Sequence, residues 1–309
     1  MRGRMSGPVR TDPRGRDSGW RHRAARLVLC LVVASALSLP SAASAEVKVG
    51  AGDSHTCALK KNGKAVCWGS DIAGQSSPPA GEFRSLSAGG FHNCAVGTDG
   101  EVACWGDDGF EQSSPPPGRF RSVSAGGYSH SCGVRPNGRV RCWGRSVEDD
   151  HGQADPPPGE FRAVSAGYSH TCGIMASRRL SCWGRGDSGQ TSPSFGGEFR
   201  SVSAGNGVSC AVRANGKIGC WGQHSPVKFP PERKFQSVDV GTFHACGVKL
   251  NEKAACWGGD DYGQSSPPRG RFESVAVGSY HSCGVRPRGK VRCWGRNQLG
   301  QTDVPSALR

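Results

Sequence analysis

Beyond residue 45 the sequence is short of aliphatic bulk. Residues 46–309 contain 22 Val, 6 Leu, 3 Ile and 11 Phe, 42 of 264 positions, a level at which composition alone leans towards disorder. A conventional aliphatic core is excluded, and something else must order the chain. Long apolar runs are equally scarce. The one present covers residues 27–39, well under the roughly 20 residues of a membrane span. Absent too are a Gly-x-Ser-x-Gly elbow, a phosphate-binding loop, a His-Glu-x-x-His pair and cysteines two to four apart, which removes the usual signatures of hydrolases, nucleotide enzymes and structural zinc.

What the chain has in quantity is 47 Gly, 20 Pro and 15 Cys, the composition of a turn-rich all-β protein with staples. Its first residues supply an oxidising destination. Arg21, Arg23 and Arg26 precede the apolar run, and Ala43-Ser44-Ala45 follows it, so residues 1–45 read as a secretory signal peptide cleaved after Ala45. Cys30 lies inside that leader and only faintly resembles a lipoprotein cleavage site. The expected location of the mature chain, 46–309, is secreted or extracytoplasmic, in the periplasm or at the cell surface, without a membrane span. The formal +14 falls with the leader, whose eight Arg face two Asp, leaving 31 basic against 23 acidic side chains, a net +8.

Seven cysteine pairs recur at a spacing of ten: Cys57/Cys67, Cys94/Cys104, Cys132/Cys142, Cys172/Cys182, Cys210/Cys220, Cys246/Cys256 and Cys283/Cys293, each followed by Trp-Gly. They define repeats at about 46–81, 82–118, 119–159, 160–197, 198–233, 234–270 and 271–309, each with room for about four short strands. Midway between the cysteines stands a turn such as Lys61-Asn62-Gly63, Pro136-Asn137-Gly138 or Pro287-Arg288-Gly289. A type I turn closed by a left-handed Gly places the cysteines opposite one another at a non-hydrogen-bonded pair, within disulfide reach. Seven local disulfides are expected, each closing a loop of about 11 residues and contributing about 2 to 3 kcal/mol in the chain-entropy account. Ala176-Ser177-Arg178 and Leu250-Asn251-Glu252 lack the Gly.

Ala125-Gly126, His130, Cys132, Gly138, Val140, Trp143-Gly144 and Gly152-Gln153, with their counterparts along nearly the whole mature chain, resemble the repeat of the regulator of chromosome condensation family. The resemblance implies a closed seven-bladed β-propeller, here stapled by intra-repeat disulfides, in which His55, His92, His130, His170, His244 and His281 belong to the blade framework. It says little of function, since the family includes nuclear exchange factors, regulatory domains and a secreted propeller that inhibits β-lactamases. Export and cysteine pairing set this chain apart from the nuclear members, and neither nucleotide exchange nor chromatin binding is expected. The fifth unit departs furthest: Val208 replaces the His, and the segment Gln223-His224-Ser225-Pro226 loses Gly-Gln.

Charge is sorted by position. Basic residues, among them Lys64, Arg139, Arg179, Lys217, Lys253 and Lys290, surround the hairpin tips, whereas Asp71, Asp107, Asp108, Glu148, Asp149, Asp150, Asp187, Asp260 and Asp261 follow Trp-Gly. Tips and Trp-Gly loops should emerge on opposite faces of the disc, making it electrically polar. Nucleic acid is not an expected partner, because the basic face lacks interleaved aromatics. No catalytic residue, cofactor or metal is assigned, and Glu148-Asp149-Asp150-His151 lacks the alternating spacing of a calcium loop. The reading is a binding propeller that engages a protein, basic in character, or an envelope polymer through the variable Trp-Gly loops, with Phe110, Asp149, His151, Asp261 and Tyr262 as contact residues. Two alternatives stand beside it: a secreted lyase or hydrolase using carboxylates of the acidic face, and a surface repeat protein without a specific ligand.

Overall fold

The computed structural model describes residues 47–145, 150–223 and 225–309; the leader, Glu148, Asp149 and His224 lie outside the described residues. Among these, 21 strands form seven antiparallel sheets of three, and the chain is a seven-bladed propeller. Blade 2 shows the pattern: an inner strand Phe83–Ala88, a middle strand His92–Gly97 and an outer strand Val102–Gly106. The other inner strands are Lys48–Ala51, Ser122–Ala125, Phe161–Ala166, Phe199–Ala204, Phe235–Val240 and Ser274–Val277. All seven line an axial channel. The room for a fourth strand is used otherwise, because the connection after Gly-Gln carries runs such as Ser77-Pro78-Pro79 and Pro115-Pro116-Pro117. Proline has no N–H for a ladder, so these stretches form no strand.

The hairpins close as their turns dictate. Lys60 N–H donates to the Lys64 carbonyl at 3.0 Å and Gly63 N–H to Lys60 at 2.8 Å, with Gly63 at φ +74°. Three residues outward on each side stand Cys57 and Cys67, paired in register with Cα atoms 4.0 Å apart and joined by a disulfide. The other six expected bonds are present too: Cys94–Cys104, Cys132–Cys142, Cys172–Cys182, Cys210–Cys220, Cys246–Cys256 and Cys283–Cys293. The two halves of each bond are not equivalent, which the spacing alone did not distinguish. The middle-strand cysteine is fully buried in every blade, whereas its partner stands on the outer strand at the blade edge. Cys67, Cys104, Cys142, Cys182, Cys256 and Cys293 are half-buried there. Cys220 is the exception, buried in the same apolar cluster as Val227.

Where the turn Gly is missing, Arg178 and Glu252 take the left-handed conformation themselves, at φ +64° and +62°. The seventh tip corrects the type I expectation: both Arg288 (φ +71°) and Gly289 (φ +80°) are left-handed. A side chain on Gly289 would meet Val47, so this turn has reshaped where the chain ends close the ring.

Small residues let the blades meet. A Cβ on Gly241 would collide with the Gly278 carbonyl oxygen, and one on Gly278 with that of Gly52. The seven glycines after the inner strands thus form a neck of touching backbone that no other residue can enter. Bulk is concentrated instead in one aromatic pair in each of blades 2 to 7, such as Phe120 with Trp143 (5.8 Å) and Phe161 with Trp183 (5.8 Å), while Trp68 of blade 1 packs on aliphatic residues. Ring closure uses the same parts: Trp68 Nε1 of blade 1 donates to the Gln301 carbonyl after blade 7 at 2.9 Å, and Val304 and Leu308 pack with Val47, Trp68 and Val291.

Candidate functional site

The turns around one mouth of the channel are held by a relay between blades. His130 Nε2 lies 2.8 Å from Thr171 Oγ1 of blade 4, and that hydroxyl donates to the Gln153 carbonyl at 3.0 Å. With its proton spent there, the hydroxyl must accept from Nε2–H, which fixes the tautomer. Equivalent contacts join His55 to Asn93, His92 to Ser131, His170 to Ser209, His244 to Ser282 and His281 to Thr56 at 2.6 to 2.8 Å. Nδ1 of five of these histidines is buried without a partner. A second proton would be placed there without an acceptor, and burial holds the pKa values down at about 4 for His55, His170 and His244 and about 3 for His92, His130 and His281. In six blades the Trp Nε1 donates to the carbonyl of the glutamine that ends a Trp-Gly loop, as Trp183 does to Gln153 at 3.0 Å. Five of these glutamines follow Gly, and Gln112 follows Glu111, itself left-handed at φ +61°.

The framework leaves its variable residues on the Trp-Gly loop face. Around the mouth stand Asp53, Tyr168, Asn206 and Thr242, above a cavity of about 80 Å³. Burial pushes the Asp53 carboxyl above its ordinary range, against the lowering effect of the Ser279 hydroxyl bonded to it. Two aromatic groups flank this mouth. Phe110 packs on Tyr128 at 5.1 Å, and Tyr128 stacks on Tyr168 at 5.4 Å with ring planes 7° apart. Across blades 6 and 7, Tyr262 meets Tyr280 edge-on at 5.4 Å, Phe243 stacks on Tyr280 at 4.5 Å, and the Arg296 guanidinium lies over Tyr262 and Tyr280. Of the six exposed large apolar side chains among the described residues, Ile72, Phe243, Tyr262 and Leu299 belong to these loops and turns.

The contact residues expected from sequence are therefore divided. Phe110 and Tyr262 sit in separate aromatic groups, Asp261 is exposed beside Tyr262, and His151 is exposed, its backbone N–H donating to Gln153 Oε1 at 2.8 Å. Asp149 lies outside the described residues. Tyr128, Tyr168, Phe243 and Tyr280 were missed, although their signal was present: an aromatic residue in the short turn before the repeated His in several units; Arg296, just after Trp294-Gly295, carried no such signal. The cysteines contribute to the frame and not to the site's chemistry. Even the more accessible outer-strand sulfurs, those of Cys104, Cys142, Cys182 and Cys256, are spent in disulfides, as is that of the buried Cys220, so none offers a thiolate.

The acidic character of the loops is largely internal. Asp71, Asp108 and Asp260 each accept a backbone N–H and a serine hydroxyl of their own loop at 2.7 to 2.8 Å, and Asp150 and Asp155 both pair with Arg145. No group of three or more potential metal ligands exists among the described residues, and none of their helices is long and apolar enough to cross a membrane.

A propeller of clasped, disulfide-stapled blades with one aromatic-lined mouth is an interaction scaffold in its class. The profile of the regulator of chromosome condensation (RCC1) repeat matches residues 47–75, 83–112, 120–153, 161–190 and 272–301. The chain belongs to that repeat family. Among solved structures it is similar to the entire ectodomain of the Physcomitrella patens receptor kinase CR4, with 25% identity over 81% of this chain and 73% of that one and a TM-score of 0.68. It is likewise similar to the CRINKLY WD40 ectodomain of the Arabidopsis thaliana receptor kinase ACR4, at 25% identity over 82% and 96% and a TM-score of 0.68. Prp20p of Saccharomyces cerevisiae, described with its binding to Gsp1p and histones, shares the fold at 18% identity over 82% and 72%, TM-score 0.53. Among curated proteins none matches this sequence.

Proposed function

We propose that this chain is an extracytoplasmic interaction propeller that holds a protein partner on its Trp-Gly loop face. The observation that carries the reading is the pair of partly exposed aromatic groups flanking the mouth, Phe110/Tyr128/Tyr168 and Phe243/Tyr262/Tyr280. Aromatic side chains on a rigid frame lose little entropy on binding and dominate interface energetics. Seven disulfides and the likeness to two receptor ectodomains support an oxidising location outside the cytoplasm, which agrees with the leader expected at residues 1–45. The catalytic alternative is disfavoured by the way Asp71, Asp108 and Asp260 are engaged within their own loops.

The test is affinity capture from medium and envelope fractions with the folded propeller as bait. The partner retained by the native chain should bind Phe110→Ala/Tyr262→Ala at least tenfold more weakly, the order expected of an aromatic hot spot. It should bind Arg139→Gln/Arg179→Gln about equally well. The reverse pattern would place the partner on the opposite face.

A further inference from the structure

The hairpin-tip face carries a charge arrangement that partner binding on the other face leaves unexplained. Every tip is closed at the same ladder position, as in the 2.8 to 3.0 Å bonds from Arg135 to Arg139, Met175 to Arg179, Arg213 to Lys217 and Lys249 to Lys253. Six of the seven are then bonded to the phenylalanine that leads into the next inner strand: Gly63 carbonyl to Phe83 N–H, Gly100 to Phe120, Gly138 to Phe161, Arg178 to Phe199, Gly216 to Phe235 and Glu252 to Phe272, at 2.7 to 2.9 Å. Tips of one length tied at one height form a level surface.

On that surface the residue opening the outer strand side of the turn is Lys64, Arg139, Arg179, Lys217, Lys253 and Lys290 in six blades, all exposed, with Glu101 in blade 2. Nearer the axis, the residues at the inner-strand starts repeat the pattern as exposed Lys48, Arg84, Arg121, Arg162 and Arg200, with Gln236 and Glu273 in blades 6 and 7. Of the acidic side chains on this side, Glu198 and Glu252 are paired with Arg178 and Arg271, and the exposed Glu82, Asp99, Glu160 and Glu273 are outnumbered by the cations around them. The strand-start phenylalanines are buried beneath, and Leu250 is the large apolar side chain that the tips expose among the described residues.

From this we infer that the tip face docks flat on an anionic lipid bilayer. A level, concentric array of cations meets a plane of anionic headgroups with all blades at once, whereas a linear polyanion touches one arc of tips, such as the depression between Lys60, Lys61 and Arg288. Each surface cation near such a bilayer strengthens binding about fivefold. Long Lys and Arg side chains reach headgroups without insertion of apolar surface, so attachment is reversible and salt-sensitive. In this pose the aromatic-flanked mouth points away from the lipid.

The experiment is co-sedimentation of the oxidised chain with vesicles of phosphatidylcholine containing about one third phosphatidylglycerol, and with phosphatidylcholine alone. Binding is expected to the anionic vesicles only, and to be lost between about 0.1 M and about 1 M salt, as the screening length shrinks from about 10 to about 3 Å. Replacing Lys64, Arg139, Arg179, Lys217, Lys253 and Lys290 together by Gln should weaken it at least about a hundredfold. These side chains are exposed, and an unchanged melting temperature with seven intact disulfides shows that the variant is folded. Phe110→Ala/Tyr262→Ala should bind the vesicles as the native chain does, which separates this inference from the partner reading. Failure to bind anionic vesicles at low salt, retention of binding by the six-fold variant, or tighter binding of linear polyphosphate at matched charge would each overturn it.

Discussion

Where blade 3 meets blade 4, His130 donates to Thr171, Thr171 donates to the Gln153 carbonyl, and Trp183 shares that carbonyl. Where blade 5 meets blade 6, the histidine–hydroxyl link is gone and only the tryptophan's bond to a carbonyl survives. Val208 stands in the histidine's place and Ala245 in the hydroxyl's, and Val227, in the short helix Pro226–Lys228, offers its carbonyl to Trp257 at 2.8 Å in place of the lost Gln. Both changes fall on facing residues. The apolar cluster there joins Val208, Val212, Val227, Phe235, Val238, Val240, Ala245 and Trp257, so burial takes over from hydrogen bonding. The repeat profile passes over this region: it matches neither 198–233 nor 234–270, although both blades form. What a junction requires is the glycine neck and a carbonyl under the tryptophan, and the polar relay is one of two ways to complete it.

The largest expected difference between the two kinds of junction is in acid. Folding depresses the six histidine pKa values from 6.5 to about 3 or 4. The unfolded chain therefore binds more protons below pH 6.5. Stability contributed by the neutral relay is fully present above that pH and is lost as pH falls towards the folded values, at about 1.4 kcal/mol per pH unit for each histidine. Unfolding free energies from denaturant titrations with the disulfides intact should drop by on the order of 10 kcal/mol or more between pH 7.5 and pH 4.5, six histidines acting together. His130→Gln, whose amide can still donate to Thr171, should reduce the slope by about one proton. A flat profile would contradict neutral histidines at six junctions.

A smaller effect comes from converting the apolar junction. Val208→His places an imidazole against Ala245, which has no hydroxyl to receive its proton, and should cost about 2 to 3 kcal/mol. Adding Ala245→Ser restores the missing link, and a double-mutant cycle in denaturant should show a favourable coupling of about 1 kcal/mol or more. Additive costs would mean that Val208 and Ala245 were not exchanged as a unit.

Much of this was legible before the structure. Cysteine spacing and turn residues led to the hairpins and the disulfides, because both are local and a ten-residue spacing leaves few geometries. The divergence of the fifth unit was visible in Val208, but its counterpart Ala245 was not, since the pairing lies between neighbouring repeats rather than within one. The burial of Cys220, unlike that of Cys104 or Cys182, was hidden for a similar reason: it depends on Val227, which lies outside the repeat pattern. The same holds for the site. Phe110 and Tyr262 stood out as large residues in variable loops, whereas Tyr128, Tyr168, Phe243 and Tyr280 gain their importance only when turns from different blades are brought to one mouth. The fourth strand was a count of residues that ignored what proline does to a ladder.

The smallest expected effect tests whether the apolar junction differs in the channel as well. In blades 2 to 5 an inner-strand serine, Ser87, Ser124, Ser165 or Ser203, accepts the N–H of the next blade's inner strand at 3.0 Å. Blade 6 has Asp239 there, which accepts from Ser203 Oγ at 2.9 Å and from Val277 N–H at 2.8 Å. Burial pushes its carboxyl above the ordinary range, more than these hydrogen bonds pull it down. A folded pKa above the unfolded one means that its contribution is present in acid and is lost as pH rises through the folded value. Asp239→Ser restores the residue used by the four preceding blades and removes that titration. The variant should therefore gain stability over the native chain at pH 7.5 and gain less at pH 5.0, where the raised native carboxyl is closer to protonation. Thermal melts of the two chains at both pH values supply the comparison, and the histidines, common to both, cancel in the difference. An equal effect at the two pH values would show that Asp239 acts through shape alone, and the channel side of this junction would then match the others in everything but size.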